Sequence, residues 1–303
     1  MCKLYGLKDR KIKEHLTILE RSLYFMHKPL NMNLRLAVIG ILVFGAVVAF
    51  SPYRNKEVNK LDPLRKLKQK AFKKGEFLRY DVSYGYFDAA EATLEIKESS
   101  QKINGRNTMH IVGKGRSRGA LSFFFRVEDR YETYIDEEAL LPWEFIRHVR
   151  EGGYALDRNI KFNHYTNKAT VEQNDTQRYP VEPNTQDLLS AFYYARTLDL
   201  QNAKLNQEFV VNTFFDREMY PLKFKFLGKD ELKTELGTID CLKFRPMVEA
   251  GRVFKEEEDV TIWISNDVNK VPIRVQSDLL VGSIVMELVE HKNLAVPLNK
   301  VKE

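Results

Sequence analysis

The stretch Phe77-Leu78-Arg79-Tyr80-Asp81-Val82-Ser83-Tyr84 largely alternates apolar with polar side chains over eight residues. Because successive side chains of an extended chain point to opposite faces, this period of two predicts a strand with one buried face. The same alternation returns at residues 93–97, 109–112 and 131–135. Asn104-Gly105 and Gly152-Gly153 interrupt it with residues that accept the positive φ of tight hairpins. The chain is therefore predicted to be mainly all-β, with an antiparallel sheet and hairpin connections.

One segment has the period of a helix instead. Asn184 suits the N-cap, and Asp187 follows where a negative charge favours the positive end of a helix dipole. Apolar residues then recur at helical spacing, at Leu188, Ala191, Phe192, Ala195 and Leu198. We predict one helix over residues 185–199, with this apolar stripe packed on the sheet. Leu189, Tyr193 and Arg196 fall on a second face, where they could line a cavity or join the core or the surface.

The chain also resembles itself weakly. Glu76-Phe77 recurs as Glu208-Phe209 at an offset of 132 positions, and Pro142 recurs as Pro272 at an offset of 130. Each proline follows an alternating strand, and a proline that opens the next strand does little harm to a sheet. We predict two related β-meanders, residues 75–180 and 205–294, which the helix joins in a single β domain over 75–294, before a tail over 295–303. Their curved sheet should form an open or half-closed, bifurcated barrel.

An apolar run before the first strand is typical of an export signal. Arg35 precedes fifteen apolar or glycine residues, 36–50, and Val47-Val48-Ala49 provides small residues for signal peptidase. A membrane-spanning helix needs roughly 20 residues. We therefore predict a cleaved signal peptide over 32–50 and a periplasmic protein; the alternative is an inner-membrane anchor that faces the periplasm. Residues 1–31 are interpreted as a start placed upstream of the true Met32, or as a cytoplasmic extension.

The leader accounts for most of the net charge of +6. Residues 1–49 hold eight Lys or Arg and three Asp or Glu, which leaves 40 basic and 39 acidic side chains in the remaining 254 residues. This balance argues against a nucleic-acid partner. Cys2 lies in the leader and Cys241 remains alone, so no internal disulfide is expected. Neither cysteine ends the apolar run, where a lipid anchor would be attached.

The segment 51–74 is polar and basic, with six Lys or Arg among residues 65–74. Leu61, Leu64, Leu67 and Phe72 fall near helical spacing within it. We predict a solvated linker or a short capping helix. The alternative is an amphipathic helix that makes peripheral contact with an anionic membrane through residues 61–74.

Four motifs carry a resemblance to a known family. They are Gly75-Glu76-Phe77-Leu78-Arg79-Tyr80-Asp81-Val82-Ser83-Tyr84-Gly85, Phe125-Arg126-Val127-Glu128-Asp129-Arg130-Tyr131, Asp187-Leu188-Leu189-Ser190-Ala191-Phe192-Tyr193-Tyr194-Ala195-Arg196 and Trp263-Ile264-Ser265. Together they resemble an exported bacterial family, the domain of unknown function 3108, over about residues 75–293. The resemblance implies an envelope protein with a twisted, bifurcated or barrel-like sheet, and it implies no particular reaction.

Catalytic and metal-binding patterns are sparse. Ser117 lies in Gly115-Arg116-Ser117-Arg118-Gly119, which matches the G-x-S-x-G pattern of hydrolases. That motif requires a strand, a sharp turn and a helix, whereas residues 120–127 are predicted to form another strand. Ser117 is therefore only an alternative catalytic candidate. No two histidines after the leader stand three to five residues apart, and the acidic run 256–259 lacks the pattern of a calcium loop. We predict no metal site and no cofactor.

Aromatic residues make up 12% of the chain, and some are expected to line a groove for an acyl chain or a glycan. Phe123 and Phe125 would share one face of the predicted strand. The predicted ligand contacts are Phe123, Phe125, Trp143, Tyr193, Arg196 and Trp263. The leading hypothesis is a non-enzymatic envelope protein that binds a lipid, a glycan or a partner protein on the concave face of its sheet. The alternatives are an envelope hydrolase acting on esters or glycans, and a structural scaffold of an envelope complex.

Overall fold

The computed structural model describes residues 64–97, 101–119, 121–247, 260–278 and 282–301. Residues 1–31, the predicted signal peptide 32–50 and the acidic run 256–259 lie outside these residues, and so does Leu61.

Strands make up most of the described chain. In order they are β1 Phe77–Tyr84, β2 Phe87–Lys97, β3 Lys102–Ile103, β4 Arg106–Ser117, β5 Glu128–Asp136, β6 Pro142–Glu151, β7 Tyr154–Asn163, β8 Lys168–Glu172, β9 Thr176–Pro180, β10 Glu208–Phe215, β11 Glu218–Thr234, β12 Gly237–Pro246, β13 Val260–Ser265, β14 Pro272–Asp278 and β15 Ser283–Lys292. Two helices interrupt them, α1 Leu121–Phe124 and α2 Leu188–Ala195. The prediction of a mainly β protein is confirmed.

One antiparallel sheet contains all fifteen strands. Its order is β10-β11-β12-β13-β14-β15-β1-β2-β4-β5-β6-β7-β8-β9, and the short β3 pairs only with β4. The path is open, with β10 at one end and β9 at the other, so the sheet is curved but not closed into a barrel. The two meanders therefore meet in the middle of the sheet, where β1 pairs with β15 from Phe77–Lys292 to Tyr84–Ile284.

The concave face of this sheet converges on α2. On β1, Leu78, Tyr80 and Val82 are buried on this face, as the alternating sequence predicts. Apolar residues of β10 to β15 pack around Ala191 of α2, and those of β5 to β8 pack around Leu188 and Leu189. The opposite face, called the outer face below, carries Arg79 and the other polar residues of β1. The core therefore lies between the concave face and a single helix.

The weak duplication has a structural counterpart in two hairpins. Ile135 pairs with Pro142 in the first, Ile264 pairs with Pro272 in the second, and a β-bulge directly precedes each pair. Both prolines open a strand, as predicted. Two residues before each proline, the backbone takes a positive φ, 50° at Leu140 and 48° at Lys270. The two connections therefore share a bulge and a positive φ before the proline, although they differ in sequence and by one residue in length.

The bounds predicted for the central helix were too wide. α2 runs from Leu188 to Ala195, and its N-cap is Asp187. The Asp187 carboxylate accepts a hydrogen bond from Ser190 N, while the Ser190 hydroxyl accepts one from Asp187 N, which completes a capping box. Asn184 instead has a φ of 62° in the turn before the helix. Asparagine tolerates that left-handed conformation and also favours the N-cap. The sequence alone therefore could not show which of the two positions Asn184 occupies.

The predicted strand over 120–127 and the helix alternative for the basic segment both differ from the structure. Within residues 121–127 the structure has a helix, α1 Leu121–Phe124, in place of the predicted strand. Residues 64–74 are not helical. They form an extended strap whose Ala71 and Phe72 are buried against Ile96, Ile111 and Tyr193. Burial of these two side chains, not a helical stripe, decides the path of the segment.

The predicted tail packs on the second meander. Lys300 forms an isolated β-bridge with Ile239, and Val301 N donates to Thr238 O at 2.9 Å. Cys241 is fully buried on β12, and burial raises the pKa of its thiol to about 12. A thiol with so high a pKa is unreactive at neutral pH, so Cys241 is a core residue.

Candidate functional site

Two adjoining apolar cavities lie between α2 and the concave face. The larger, about 90 Å³, lies between the small side chains of Ala191 and Ala195 on the helix and Phe244 on the sheet. The smaller, about 60 Å³, lies between Leu189 and the strands β1, β2, β4 and β5. Phe192, Pro272 and Met286 line both cavities, so they form the partition between them. The concave face is thus mostly filled by its own side chains, with space left beside the helix.

Two glycines of β4 form part of the wall of the smaller cavity. Gly113 and Gly115 alternate with Lys114 and Arg116, so that both glycines face the helix and both cations face outward. A Cβ atom at Gly113 would lie 3.2 Å from the Leu94 side chain and 3.4 Å from that of Leu189. Glycine therefore allows the helix to approach β4 closely.

Buried polar groups accompany the smaller cavity. The Tyr80 hydroxyl is buried and has no hydrogen-bond partner among the described residues, and burial raises its pKa. Asp129 also lines this cavity. Its Oδ1 accepts a hydrogen bond from Arg150 N at 2.9 Å. Burial raises the pKa of Asp129, while contacts with the Arg150 N–H and Glu151 oppose that rise. An unpaired buried hydroxyl carries a free-energy cost that a ligand could relieve.

A buried ion pair fixes the C-terminal end of α2. Arg196 donates to both Glu76 oxygens, at 2.6 and 2.8 Å, and neither residue is more than 2% exposed. Arg196 also donates to Asn269 O at 2.8 Å and to Ala71 O at 3.0 Å. One side chain therefore joins the helix to the strap, to the start of β1 and to the connection between β13 and β14.

The N-terminal end of α2 is held by a second polar cluster. The Asp187 carboxylate accepts from the Thr133 hydroxyl at 2.6 Å and from Ser190 N at 2.9 Å. The neighbouring Gln186 donates to Leu140 O at 2.9 Å, in the connection between β5 and β6. Burial raises the pKa of Asp187 to about 6. The β5–β6 connection thus holds the N-terminal end of α2, and the β13–β14 connection holds its C-terminal end. The middle of the helix borders the cavities.

The structure does not bring the predicted ligand contacts together. Trp143 is in the core, where its indole N–H donates to Asp136 Oδ2 at 3.2 Å. Trp263 lies on the outer face, with its N–H donating to Asp230 Oδ2 at 2.9 Å. Tyr193 is buried against Phe72, with ring centroids 5.0 Å apart.

The remaining three predicted contacts are equally scattered. Phe125 packs so closely on Gly152 that a Cβ there would lie 2.2 Å from its ring. Phe123 does not share a strand face with Phe125, since it lies on α1 with 91% of its surface exposed. Of the six residues, Arg196 alone is among those that line the cavities beneath α2.

Sequence reasoning missed the residues that do line the cavities. Ala191 and Ala195 were assigned to the packing stripe of the helix, and Gly113 was not singled out. The available signal was the pair of alanines four residues apart on the apolar stripe, which leaves room where larger side chains would fill it.

The Ser117 hydroxyl forms a hydrogen bond with the backbone of Val127. Ser117 ends β4, and its hydroxyl accepts a hydrogen bond from Val127 N at 2.9 Å, while Ser117 N donates to Val127 O at 3.1 Å. These bonds close the base of the connection that carries α1. A short helix does follow the serine, but it begins four residues later.

Large apolar side chains are exposed at the ends of strands in the middle of the sheet. Tyr86 and Phe87 form the tip between β1 and β2, and Phe123 and Phe124 lie on α1, with exposures from 76% to 103%. The two sites are neighbours because Arg118 N donates to Ala89 O at 2.8 Å. These four residues are called the aromatic rim below. Exposed aromatic rings at this density are typical of a contact surface.

Among the described residues, no group of three or more His, Cys, Asp or Glu side chains could hold a metal ion. No helix in the described part of the chain is long and apolar enough to cross a membrane.

An open antiparallel sheet curled around one helix, with apolar space beside that helix, defines a barrel-like β protein. Residues 79–289 match the family described as protein of unknown function, DUF3108, and the chain belongs to this family. A comparison with curated proteins finds no match.

Several solved structures are similar in fold. A beta-barrel-like protein of domain of unknown function DUF1849 from Brucella abortus is 10% identical, covers 72% of this chain and 97% of its own, and has a TM-score of 0.47. A proposed lipoprotein from Parabacteroides distasonis is 13% identical, covers 76% and 100%, and has a TM-score of 0.28. A proposed exported protein with a YmcC-like fold from Bacteroides fragilis is 10% identical, covers 73% and 99%, and has a TM-score of 0.27. At this level of likeness none of them identifies a ligand or an activity for this chain.

Proposed function

We propose that the protein is a non-enzymatic binding protein of the cell envelope that takes up the apolar part of a lipid between α2 and the concave face. The observation that carries this proposal is the pair of adjoining apolar cavities beside Ala191 and Ala195. Dry apolar cavities of about 150 Å³ bind small apolar molecules in other proteins. The two cavities together are of that size, so they suit a few methylene groups at the end of an acyl chain.

The partition between the cavities is able to adapt. Met286 has an unbranched, flexible side chain, which fills irregular gaps and moves at low cost. Phe192 follows Ala191 on the helix and borders both spaces. Displacement of these two side chains would merge the cavities into one channel along the helix, while Asp187 and Arg196 keep its ends in place.

Two observations support the rest of the proposal. The apolar run 36–50 after Arg35 has the pattern of an export signal, which supports a periplasmic location. The Ser117 hydroxyl is engaged by Val127 N, which favours a structural role for this residue over the hydrolase alternative. A glycan or a partner protein remains the alternative ligand, and it would contact the aromatic rim in place of the cavities.

Cavity filling tests the proposed site. Ala195→Leu adds a branched side chain inside the larger cavity, while Ala155→Leu adds the same atoms at an exposed position of β7. Protein purified from cell envelopes should carry a lipid that native mass spectrometry detects. Dodecanoate added to the delipidated protein should bind in isothermal titration. Ala195→Leu is expected to weaken dodecanoate binding at least about tenfold, and Ala155→Leu is expected to leave it unchanged.

Circular dichroism and thermal unfolding of both variants verify that they fold. The proposal fails if wild-type protein carries no lipid and binds no dodecanoate, or if folded Ala195→Leu binds dodecanoate as well as Ala155→Leu does. A crystal structure with the acyl chain outside the space beside α2 would move the site elsewhere.

A further inference from the structure

The outer face carries a groove that the proposed lipid site does not use. It has a volume of about 680 Å³ and crosses strands β1, β2, β4, β5 and β6. Small-molecule sites typically enclose 300 to 1,000 Å³. Phe77 provides an apolar wall, and the charged lining consists of four Lys or Arg, four Asp or Glu and His148. Strands β2, β4 and β5 separate this groove from the smaller cavity, and Thr93, Lys114, Gly115 and Asp129 border both.

A single row of basic side chains runs across this groove. The strand register places Arg79 opposite Thr93, Thr93 opposite Lys114, Lys114 opposite Arg130, and Arg130 opposite His148. Side chains at directly opposite positions are neighbours on the same face. Adjacent strands are about 4.8 Å apart, so the row extends over roughly 19 Å. It contains no acidic residue.

An adjacent row on the same face contains both acidic and basic side chains. Asp81 lies opposite Glu91, Glu91 opposite Arg116, and Arg116 opposite Glu128. Arg116 binds Glu91 at 2.9 Å, so this row contains its own counter-charge. Like charges directly opposite each other destabilise a sheet. Asp81 and Glu91 are such a pair, but Arg116 and Arg118 bind Glu91, whereas the like-charged pair Lys114 and Arg130 has no counter-charge within its own row.

Carboxylates outside the row compensate its members unevenly. Arg79 binds Glu290 at 2.9 Å, Arg130 binds Glu132 at 2.6 Å, and His148 contacts Asp157 at 2.8 Å. Lys114 lies at the centre of the groove and is exposed. Within the part of the chain that the structure describes, no hydrogen bond or ion pair engages its ammonium group. The centre of the row is thus an uncompensated cation with a second cation, Arg130, directly beside it.

We propose that this groove binds a chain-like anion whose carboxylate or phosphate groups recur at about 5 to 10 Å, the spacing of the row. Lys114 would contact one anionic group, and Arg130 or Arg79 the next. The Thr93 hydroxyl can hydrogen-bond to the connecting chain, and Phe77 can pack against its apolar faces. Acidic oligosaccharides and phosphorylated polymers share this chemistry.

Titration with two defined anions tests the proposal on the full chain. The probes are trigalacturonate, which carries carboxylates on sugars, and a trimer of glycerol phosphate, whose phosphates are separated by glycerol units. Lys114→Gln is expected to weaken binding of at least one probe about tenfold, because a charge-assisted contact is lost. Lys168→Gln removes an equally exposed lysine from β8, outside the groove, and is expected to leave binding unchanged. The probe that binds more tightly identifies the anionic group.

Three results would overturn the proposal: neither probe binds at low salt, Lys114→Gln binds as wild type does, or Lys168→Gln weakens binding equally, which would show attraction by overall charge only. Lys114 is exposed, so its variant is expected to keep the wild-type melting temperature. Ala195→Leu narrows the larger cavity and lies outside the groove, so it should bind both anionic probes as wild type does, and failure of this groove and failure of the lipid site can be told apart.

Discussion

At the scale of single residues, Asp187 combines two roles that conflict. It caps α2, and it is buried without a cationic partner among its recorded hydrogen bonds. Burial raises the pKa of its carboxyl from 3.8 to about 6. The native state therefore holds a proton that the unfolded state releases between about pH 4 and pH 6. This term lowers the free energy of unfolding as the pH rises through that window.

Replacing Asp187 with Asn should remove this dependence. Asparagine is also a good N-cap and has no charge to bury. We expect Asp187→Asn to change the free energy of unfolding little at pH 4, and to raise it relative to wild type by up to about 3 kcal/mol at pH 7. Urea unfolding at both pH values measures this. Asp187→Ala is the control, since it loses the cap and should be destabilised at both pH values. If the free energies of unfolding of Asp187→Asn and wild type differ by the same amount at pH 4 and pH 7, the prediction is wrong.

His164 gives the opposite pH dependence. Its Nε2–H donates to Pro142 O at 2.6 Å, its ring packs edge-on against Trp143, and burial lowers its pKa to about 4. Below pH 6.5 the unfolded state gains a proton that the native state does not bind. The free energy of unfolding should therefore fall as the pH drops from 6.5 to 4, by at most about 3 kcal/mol from this residue.

His164→Gln tests this term, because glutamine can still donate to Pro142 O and does not titrate. The variant is expected to lose stability at pH 7 through poorer packing, and to show less acid destabilisation than wild type between pH 6.5 and pH 4. The contributions of Asp187 and His164 to the pH dependence have opposite signs. They should therefore largely cancel in the free energy of unfolding of the wild type between pH 4 and pH 6.5. Parallel curves for wild type and His164→Gln would show that the pKa of His164 is not lowered.

At the scale of elements, the position of α2 depends on the ion pair between Glu76 and Arg196. Taking one member of a buried pair away leaves an uncompensated charge, which costs about 3 to 5 kcal/mol. We expect Glu76→Leu and Arg196→Met to lower the free energy of unfolding by that amount each. The double variant should be destabilised by at least about 2 kcal/mol less than the sum of the two. A double-mutant cycle in urea measures the difference, and additive losses would mean that the pair is not coupled.

The aromatic rim is an element whose role is not stability. Phe123 and Phe124 are 91% and 81% exposed, so replacing both with Ser should change the free energy of unfolding by less than about 0.5 kcal/mol. Retention on a hydrophobic column should fall. Phe125→Ser is the matched control, because the Phe125 ring packs on Gly152, and it should cost about 1 to 3 kcal/mol. Equal losses for both variants would show that the rim rings are packed in solution.

At the scale of the whole molecule, the strands were predictable and their arrangement was not. The alternation in residues 77–84 fixes the face of β1, and Pro142 and Pro272 mark the starts of two strands, because both patterns are local. The partner of β1 is local on one side only: β2 follows directly, whereas β15 lies more than 200 residues away. The cavities were equally hidden, since the space beside Ala191 and Ala195 depends on how closely β4 and β12 approach the helix.

A substitution at the seam between β1 and β15 is expected to destabilise the sheet more than one at its edge. Val285 is paired on both sides, with Ser83 and with Gln276, whereas Val210 lies on the terminal strand β10. Val285→Pro should lower the free energy of unfolding by at least about 3 kcal/mol, and Val210→Pro by less, since proline is tolerated best at sheet edges. Urea unfolding compares the two. A greater loss for Val210→Pro would mean that the two meanders are stable separately.

The seam also sets the order of events in folding. β1 is the first of the described strands along the chain, but it stays half-paired until the last of them, β15, joins the sheet. Until then the folding polypeptide presents an open edge that could recruit another chain. Contacts at such long range also form slowly. Completion of the sheet is therefore a late step of folding, and a holdase chaperone that shields β1 would raise the yield of correctly assembled molecules.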